Sequence, residues 1–252
     1  MLPTLRAPAA DTLQIAPCDE AIMNLFGDII TLSRREGSLQ CYVDNQLVYV
    51  FSGKGLSNKL ILQEPLRPIL DEPDKIYVLD VATARIVAWD RFLNVHTTTP
   101  LHDDIISPTE FTVTSEHDWL IYDNFYNHIL QIHPNEHFPY RWGDKPVSGD
   151  IHLYTIGHYV LLYLKDYRQL RICDNNGTTL GEYMLPDSLN VLRVLPLDLQ
   201  SIGLVCENGV YLWKPNEKSC RYLSIMQDVI FMHAEKSSYI LISRQGTIIT
   251  IP

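Results

Sequence analysis

The chain has 252 residues, 46% of them apolar and 20% charged, ordinary globular proportions that argue against disorder, a collagen-like repeat or a coiled coil. Its 30 acidic and 20 basic side chains leave a formal charge of −10, a field that repels phosphate backbones and anionic lipid and so disfavours a nucleic-acid partner. At roughly 100–200 residues per domain, this length allows one large domain or two small ones.

The opening segment, MLPTLRAPAA, has neither the basic start nor the apolar run of about 7–15 residues that marks a secretory signal. Asp11 to Ile15 then alternates polar and apolar residues, as a half-buried strand does. From there a unit repeats. An apolar run closed by a polar residue recurs at Ile30–Arg34, Ile76–Asp80, Leu120–Asp123, Leu162–Asp166, Gly203–Glu207 and Leu241–Arg244. The closing residues are spaced by 46, 43, 43, 41 and 37 positions. After each run comes a second, alternating one: Ser38–Tyr42, Arg85–Trp89, His128–Ile132, Gln169–Cys173, Gly209–Trp213 and Thr247–Ile251. Turn residues such as Glu36-Gly37, Asn208-Gly209 and Gln245-Gly246 join them, so each unit is built on a hairpin.

A period near 40 residues with about four short strands per unit predicts an all-β chain, a six-bladed β-propeller. The expected single domain places its blades at about 17–60, 61–103, 104–147, 148–187, 188–226 and 227–252, with strand 11–16 completing the last. The final unit ends directly after its third strand, and an open sheet edge invites aggregation. Pairing of the N-terminal strand with the last blade would close the ring.

In the third unit, Ile106-Ser107-Pro108-Thr109 opens a blade, and the stretch from Tyr122-Asp123-Asn124 to His128-Ile129-Leu130-Gln131-Ile132 resembles the hairpin of NHL-repeat propellers. His128 stands where that family usually has arginine. Arg85-Ile86-Val87-Ala88-Trp89-Asp90 is similar to the strand end of a WD repeat, without the matching Gly-His dipeptide in any unit.

Chemistry is sparse. His133-Pro134-Asn135-Glu136-His137 has the H-x-x-E-H order of a metalloprotease, but that order needs a helix to bring both histidines to one metal, and Phe138-Pro139 follows it at once. Nine histidines show no recurring ligand spacing. Asn176-Gly177-Thr178 fits a glycosylation sequon and, equally, a hairpin turn. Asp80, Asp123, Asn124, Asp166 and Glu207 recur at one place in the repeat. They are the candidates for a divalent metal at a channel mouth, as in propeller lactonases, and a polar residue opening each hairpin turn gives the same pattern. No G-x-S-x-G or phosphate-binding loop is present.

Surface remains. Tyrosine outnumbers phenylalanine 14 to 7, and Phe92, Phe125, Tyr126, Phe138, Tyr140 and Trp142 fall in predicted loops. Phe138-Pro139-Tyr140-Arg141-Trp142 gathers aromatics and arginine as binding hot spots do, so Phe138, Tyr140, Arg141, Trp142, Phe125 and Tyr126 are the candidate partner-binding residues. Packing between blades is the alternative reading of each aromatic. The expected function is a non-catalytic protein-interaction scaffold without a cofactor, and the rivals are a metal-dependent hydrolase or lactonase and small-ligand binding in the channel. Five cysteines without a C-x-x-C pair point to reduced thiols in a cytoplasmic protein. The most apolar stretch, Ile151 to Leu164, holds two histidines and falls short of the ~20 residues a spanning helix needs.

Overall fold

A computed structural model describes residues 12–52, 61–71, 74–134, 136, 138–143, 145–235 and 238–251. The fold is a six-bladed β-propeller, built from six four-stranded antiparallel sheets. The strands are β1 (Thr12–Gln14), then blade one with β2 (Glu20–Met23), β3 (Ile29–Ser33), β4 (Ser38–Val43) and β5 (Gln46–Phe51). Blade two holds β6 (Ile69–Asp71), β7 (Lys75–Asp80), β8 (Arg85–Trp89) and β9 (Val95–Pro100). Blade three holds β10 (Pro108–Val113), β11 (Trp119–Asp123), β12 (His128–Ile132) and β13 (Tyr140–Trp142). Blade four holds β14 (Ile151–Ile156), β15 (Tyr159–Leu164), β16 (Gln169–Asp174) and β17 (Thr179–Met184). Blade five holds β18 (Val191–Pro196), β19 (Ile202–Cys206), β20 (Gly209–Lys214) and β21 (Ser219–Ser224). Blade six holds β22 (Val229–Glu235), β23 (Ser238–Ser243) and β24 (Thr247–Ile251), and its outer strand is β1. Among the described residues the helical segments are single 3-10 turns, and no helix is long and apolar enough to cross a membrane.

The six predicted hairpins are the two central strands of each blade. Contacts divide the chain into two compact units, Asp19–Asn190 and Met1–Cys18 with Val191–Pro252. In the first, successive side chains along a central strand point to opposite faces and enter different cores. Ile76 and Val78 of β7 pack with Ile30, Leu32, Leu39 and Cys41 of blade one, while Leu79 packs with Phe111, Val113 and Ile121 of blade three. Blade three repeats this: Leu120 and Tyr122 join Leu153, Val160 and Leu162 of blade four, and Trp119 and Ile121 face blade two. A strand buried on both faces has no polar alternation, which is why the first run of each hairpin reads as continuously apolar.

In the second unit, Leu195, Val205 and Leu212 of blade five pack with Met232 and Leu241 of blade six. The N-terminal strand pairs as the sequence predicts, with Thr12 opposite Ile249, Leu13 opposite Ile248 and Gln14 opposite Thr247. Ile15 is buried just beyond it, and its amide donates to the Gly246 carbonyl at 2.9 Å. Gly246 has φ of 80°, and a Cβ there would lie 2.2 Å from the Ile15 carbonyl oxygen, so only glycine permits this approach.

A paired-turn candidate interaction site

One five-residue turn recurs in the Asp19–Asn190 unit. It starts at Asn24, Asp90, Thr114 and Asp174. In each, the side-chain oxygen of the first residue accepts the amides two and four positions on: Phe26 and Asp28, Phe92 and Asn94, Glu116 and Asp118, Asn176 and Thr178. The first amide also donates to the fifth carbonyl, and the fourth amide donates back to the first carbonyl. The fourth residue takes the left-handed conformation, as Gly27, Leu93, His117 and Gly177, with φ of 83°, 59°, 68° and 82°. Asn, Asp and Thr suit the first position because their short side chains bond their own backbone two residues on. In the turns starting at Asn24 and Asp90 the third residue, Phe26 or Phe92, is exposed, whereas Asn175 of the fourth turn is buried.

The turn of blade one presents Leu25-Phe26, and that of blade two presents Arg91-Phe92. Leu25 is 85% exposed, Phe26 56% and Phe92 47%. Arg91 fixes them together. Its guanidinium lies 4.1 Å from the Phe26 ring centroid and 5.4 Å from that of Phe92, and Nη2 bonds Asp28 Oδ2 at 3.0 Å. The buried Asp28 carboxylate also accepts from Asn24 Nδ2 at 2.9 Å. Phe92 meets Tyr49 of β5 edge to face at 5.4 Å. Burial, then the Asp28 charge, raises the Cys41 thiol to about 11, with Arg91 acting against them, so Cys41 stays a neutral core group beneath the turns. The Asp90 carboxyl is drawn upward by burial but held below its ordinary value by hydrogen bonds from Asn94 and Phe92 and by His96. Neither turn is free to rearrange cheaply.

The residues singled out from sequence are distributed differently. Phe125 and Tyr126, 64% and 50% exposed, form a T-shaped pair at 4.9 Å on the turn between β11 and β12. Phe138 is exposed in the connection at the other end of β12, 5.7 Å from the His102 ring. The run expected as a loop becomes strand β13 at Tyr140, opposite Gln131, because the outer edge of β12 still offers backbone groups for pairing. Tyr140 and Arg141 are exposed; Trp142 is buried in the core between blades three and four, its Nε1 donating to the Asn175 carbonyl at 2.6 Å. Two ends of one blade thus separate Phe125 and Tyr126 from Phe138.

Asp80 and Asp123 are fully buried and tie each hairpin to the segment entering its blade. Asp80 accepts from the Gln63 and Glu64 amides, Thr83 and Arg85; Asp123 accepts from the Ile106, Ser107, Phe125 and Tyr126 amides. Asp166 accepts the Asp150 amide, the Asn124 amide donates to the Ser107 carbonyl, and Glu207 is exposed. Asp80, Asp123 and Asp166 each serve their own blade. Among the described residues no group of three or more His, Cys, Asp and Glu is placed to hold a metal ion. His133 and Glu136 lie in a turn, with His133 bonded to Asp118, and His137 lies outside the described residues. The Asn176-Gly177 sequon is the tip of the turn starting at Asp174.

One charged cluster runs along the first strands of blades three and four. Glu110 bonds Arg67 at 3.2 Å and His152 Nδ1 at 3.0 Å; Asp150 sits 3.5 Å from His152 Nε2 and 2.6 Å from Lys165. Arg67 stacks over Tyr154 at 4.3 Å, and its Nε is buried without a partner among the described residues. Burial would raise the Glu110 carboxyl, but Arg67, His152 and the Leu153 amide hold it below its ordinary value.

The turns of Leu25, Phe26 and Arg91 were not singled out from sequence. Their signal was present: Asn24 and Asp90, each followed four residues on by Asp28 or Asn94.

No family model matches the chain, and no curated protein matches it. Solved structures do. The β-propeller domain of Cps50 (Swd1) from Myceliophteria thermophila aligns with a TM-score of 0.67 at 9% identity, covering 96% of this chain and 99% of that one. Virginiamycin B lyase from Staphylococcus aureus aligns at 0.65 and 8% identity, over 97% and 99%. BBS1N, solved in complex with ARL6DN, aligns at 0.58 and 12%, over 94% and 79%. At these identities the likeness is one of fold, shared by a lyase and by a propeller solved with a protein partner.

Proposed function

We propose that the chain is a non-catalytic protein-interaction module that docks a protein partner on Leu25, Phe26, Arg91 and Phe92. The carrying observation is the clip of Arg91 between Phe26 and Asp28, which holds exposed apolar side chains in place before any partner arrives. Ordering a flexible side chain on binding costs about 0.5–1.5 kcal/mol, and a preset one avoids most of that. Aromatics with arginine are also the usual composition of interface centres. BBS1N, a propeller solved with a protein partner, supports the reading as precedent. Phe125 with Tyr126, and Phe138 with Tyr140 and Arg141, are secondary contact candidates; Trp142 would contribute by holding blade three to blade four.

The test is capture of the native partner by wild type and by Phe26→Ala combined with Phe92→Ala. Loss of central anchors costs about 2–4 kcal/mol, roughly a thirty-fold to thousand-fold fall in affinity. The double variant should keep its melting profile and lose the partner. A folded variant that binds as wild type sinks the proposal, and loss restricted to Phe125→Ala with Tyr126→Ala moves the interface to the other end of blade three.

The hydrolase reading would draw on the cluster of Arg67, Glu110 and His152, whose buried Arg67 Nε has no partner among the described residues. A stoichiometric bound metal with a melting midpoint lowered by chelator would favour it over the module.

A further inference from the structure

We propose that β5 takes up, as an added strand, an extended segment of a partner protein that is apolar at alternate positions and basic at the end lying by Asp44. This rests on the docking reading of Phe26 and Phe92 and extends it along the edge of the same blade, through the contact of Tyr49 with Phe92. The sheet order ends at β5, with no described strand beyond it.

The other outer strands carry recognisable protection. β9 is polar, with His96, threonines and a closing Pro100; β13 and β1 have three residues each; Glu182 of β17 is ion-paired with Arg171 and Lys145; β21 carries exposed Arg221. A bulge, which β5 shares with β9, β17 and β21, is one device that keeps a sheet edge from pairing, and charge, proline and brevity are others. From Gln46 to Phe51 β5 has no charge, no proline and six residues. Leu47, Val48 and Val50 are 50%, 49% and 54% exposed. Its one irregularity lies at Val48, where Cys41 pairs with Tyr49 and Tyr42 with Leu47, and Tyr49 to Phe51 continue in regular register. Main-chain groups on such an edge set the geometry of an added strand, and alternate side chains select it.

Charge decides between occupants. Exposed Asp44 stands at the start of β5, Asp90 caps the adjoining turn, and the chain as a whole carries −10. A second copy would bring the same charge, whereas a segment with lysines at the end by Asp44 would be drawn in, and a probe with lysines at both ends serves either strand direction.

The probe is a blocked, fluorescent nonapeptide, Lys-Lys-Val-Thr-Val-Thr-Val-Lys-Lys, titrated by anisotropy against the full chain. Saturable binding is expected, weakened about tenfold or more by Val50→Lys and equally by replacing the peptide's lysines with glutamates. Absence of saturable binding, or binding indifferent to Val50→Lys, overturns the proposal. So does a sedimenting dimer dispersed by Val50→Lys, which would make a second copy the occupant. Partner capture lost in the Phe26→Ala, Phe92→Ala variant but retained in Val50→Lys would leave the docking reading standing and strand addition refuted. Peptide binding blocked by Val50→Lys, with capture untouched by the phenylalanine changes, would do the reverse.

Discussion

In blades one and two, the turns that start at Asn24 and Asp90 present Leu25-Phe26 and Arg91-Phe92. In blades three and four, the turns that start at Thr114 and Asp174 occupy the same two places and present Ser115-Glu116 and Asn175-Asn176. Both pairs are clipped across neighbouring blades. The polar pair closes on itself, Asn175 Nδ2 donating to Ser115 Oγ at 3.0 Å and to Glu116 Oε1 at 3.1 Å. The apolar pair uses Arg91 and Asp28, and leaves Leu25 and Phe26 facing water. A turn held by its own backbone does not dictate its tip residues, so their chemistry is separable from the fold. Apolar tips forgo burial that is worth about 1.5–3 kcal/mol for a side chain of this size, and the polar pair shows that the blade stands without them.

The largest way to break this comparison is from below the polar pair. Trp142 anchors it, donating to the Asn175 carbonyl from within the core, and Gly177 has no room for a Cβ, which would lie 2.4 Å from Gly143 Cα. Trp142→Ala should cost about 3–5 kcal/mol in urea unfolding, since it removes a large buried ring and a hydrogen bond. A cost under about 1 kcal/mol would show that blades three and four do not depend on it. Asp28→Ala is the matching cut in the apolar pair. It strips Asn24 and Arg91 of a buried acceptor, and because Arg91 remains partly solvated we expect a smaller loss, about 1–2 kcal/mol. Equal losses in the two variants would mean that the partial solvation of Arg91 does not soften the loss of Asp28.

The same comparison marks what could be read from sequence. The hairpins of all the blades and the role of Thr12 to Gln14 were legible, because apolar runs and turn residues report strand pairing locally. Phe138 to Trp142 was read as a loop, because a three-residue strand of exposed Tyr140 and Arg141 followed by buried Trp142 carries too short a pattern to register. The turns starting at Asn24 and Asp90 were missed for a different reason. Phe92 stood out only as one loop aromatic among several, and its meeting with Phe26 depends on a contact between residues of different repeats, to which periodicity is blind. The turn signal at Asn24 and Asp90 is local and was readable; the convergence of their tips was not.

Acid should sharpen the contrast more gently. Burial pulls the Asp90 carboxyl up, yet the bonds from Asn94 and Phe92 and the nearby His96 win, so its folded value lies below the ordinary 3.8. A depressed carboxyl contributes its stability above the unfolded value and loses it as pH falls through the lower folded one. Between neutrality and pH near 4 the Phe92 turn should therefore hold, and its amide shifts should move only below that. Asp90→Asn, which keeps an acceptor oxygen and cannot titrate in this range, should abolish the movement in an NMR titration. Amide shifts at Phe92 and Asn94 that titrate unchanged in Asp90→Asn would assign the effect to another group.

The smallest expected effect on stability is also the most direct exchange between the two pairs. Leu25→Ser with Phe26→Glu gives the first turn the tip of its polar counterpart while leaving Asn24, Gly27 and Asp28, which make the turn, in place. Phe26 contributes to the fold mainly through its face under Arg91, a contact worth about 0.5–1 kcal/mol at an exposed site. The introduced carboxylate can pair with the same guanidinium and recover part of that, though an exposed pair adds only about 0–1 kcal/mol. Leu25, 85% exposed, has little packing to lose. The net change in unfolding free energy should stay under about 1 kcal/mol, while partner capture falls as it does for the phenylalanine double variant. A loss above about 2 kcal/mol would mean that the apolar tips are part of the fold. Unchanged stability with unchanged capture would mean that they are neither structure nor site.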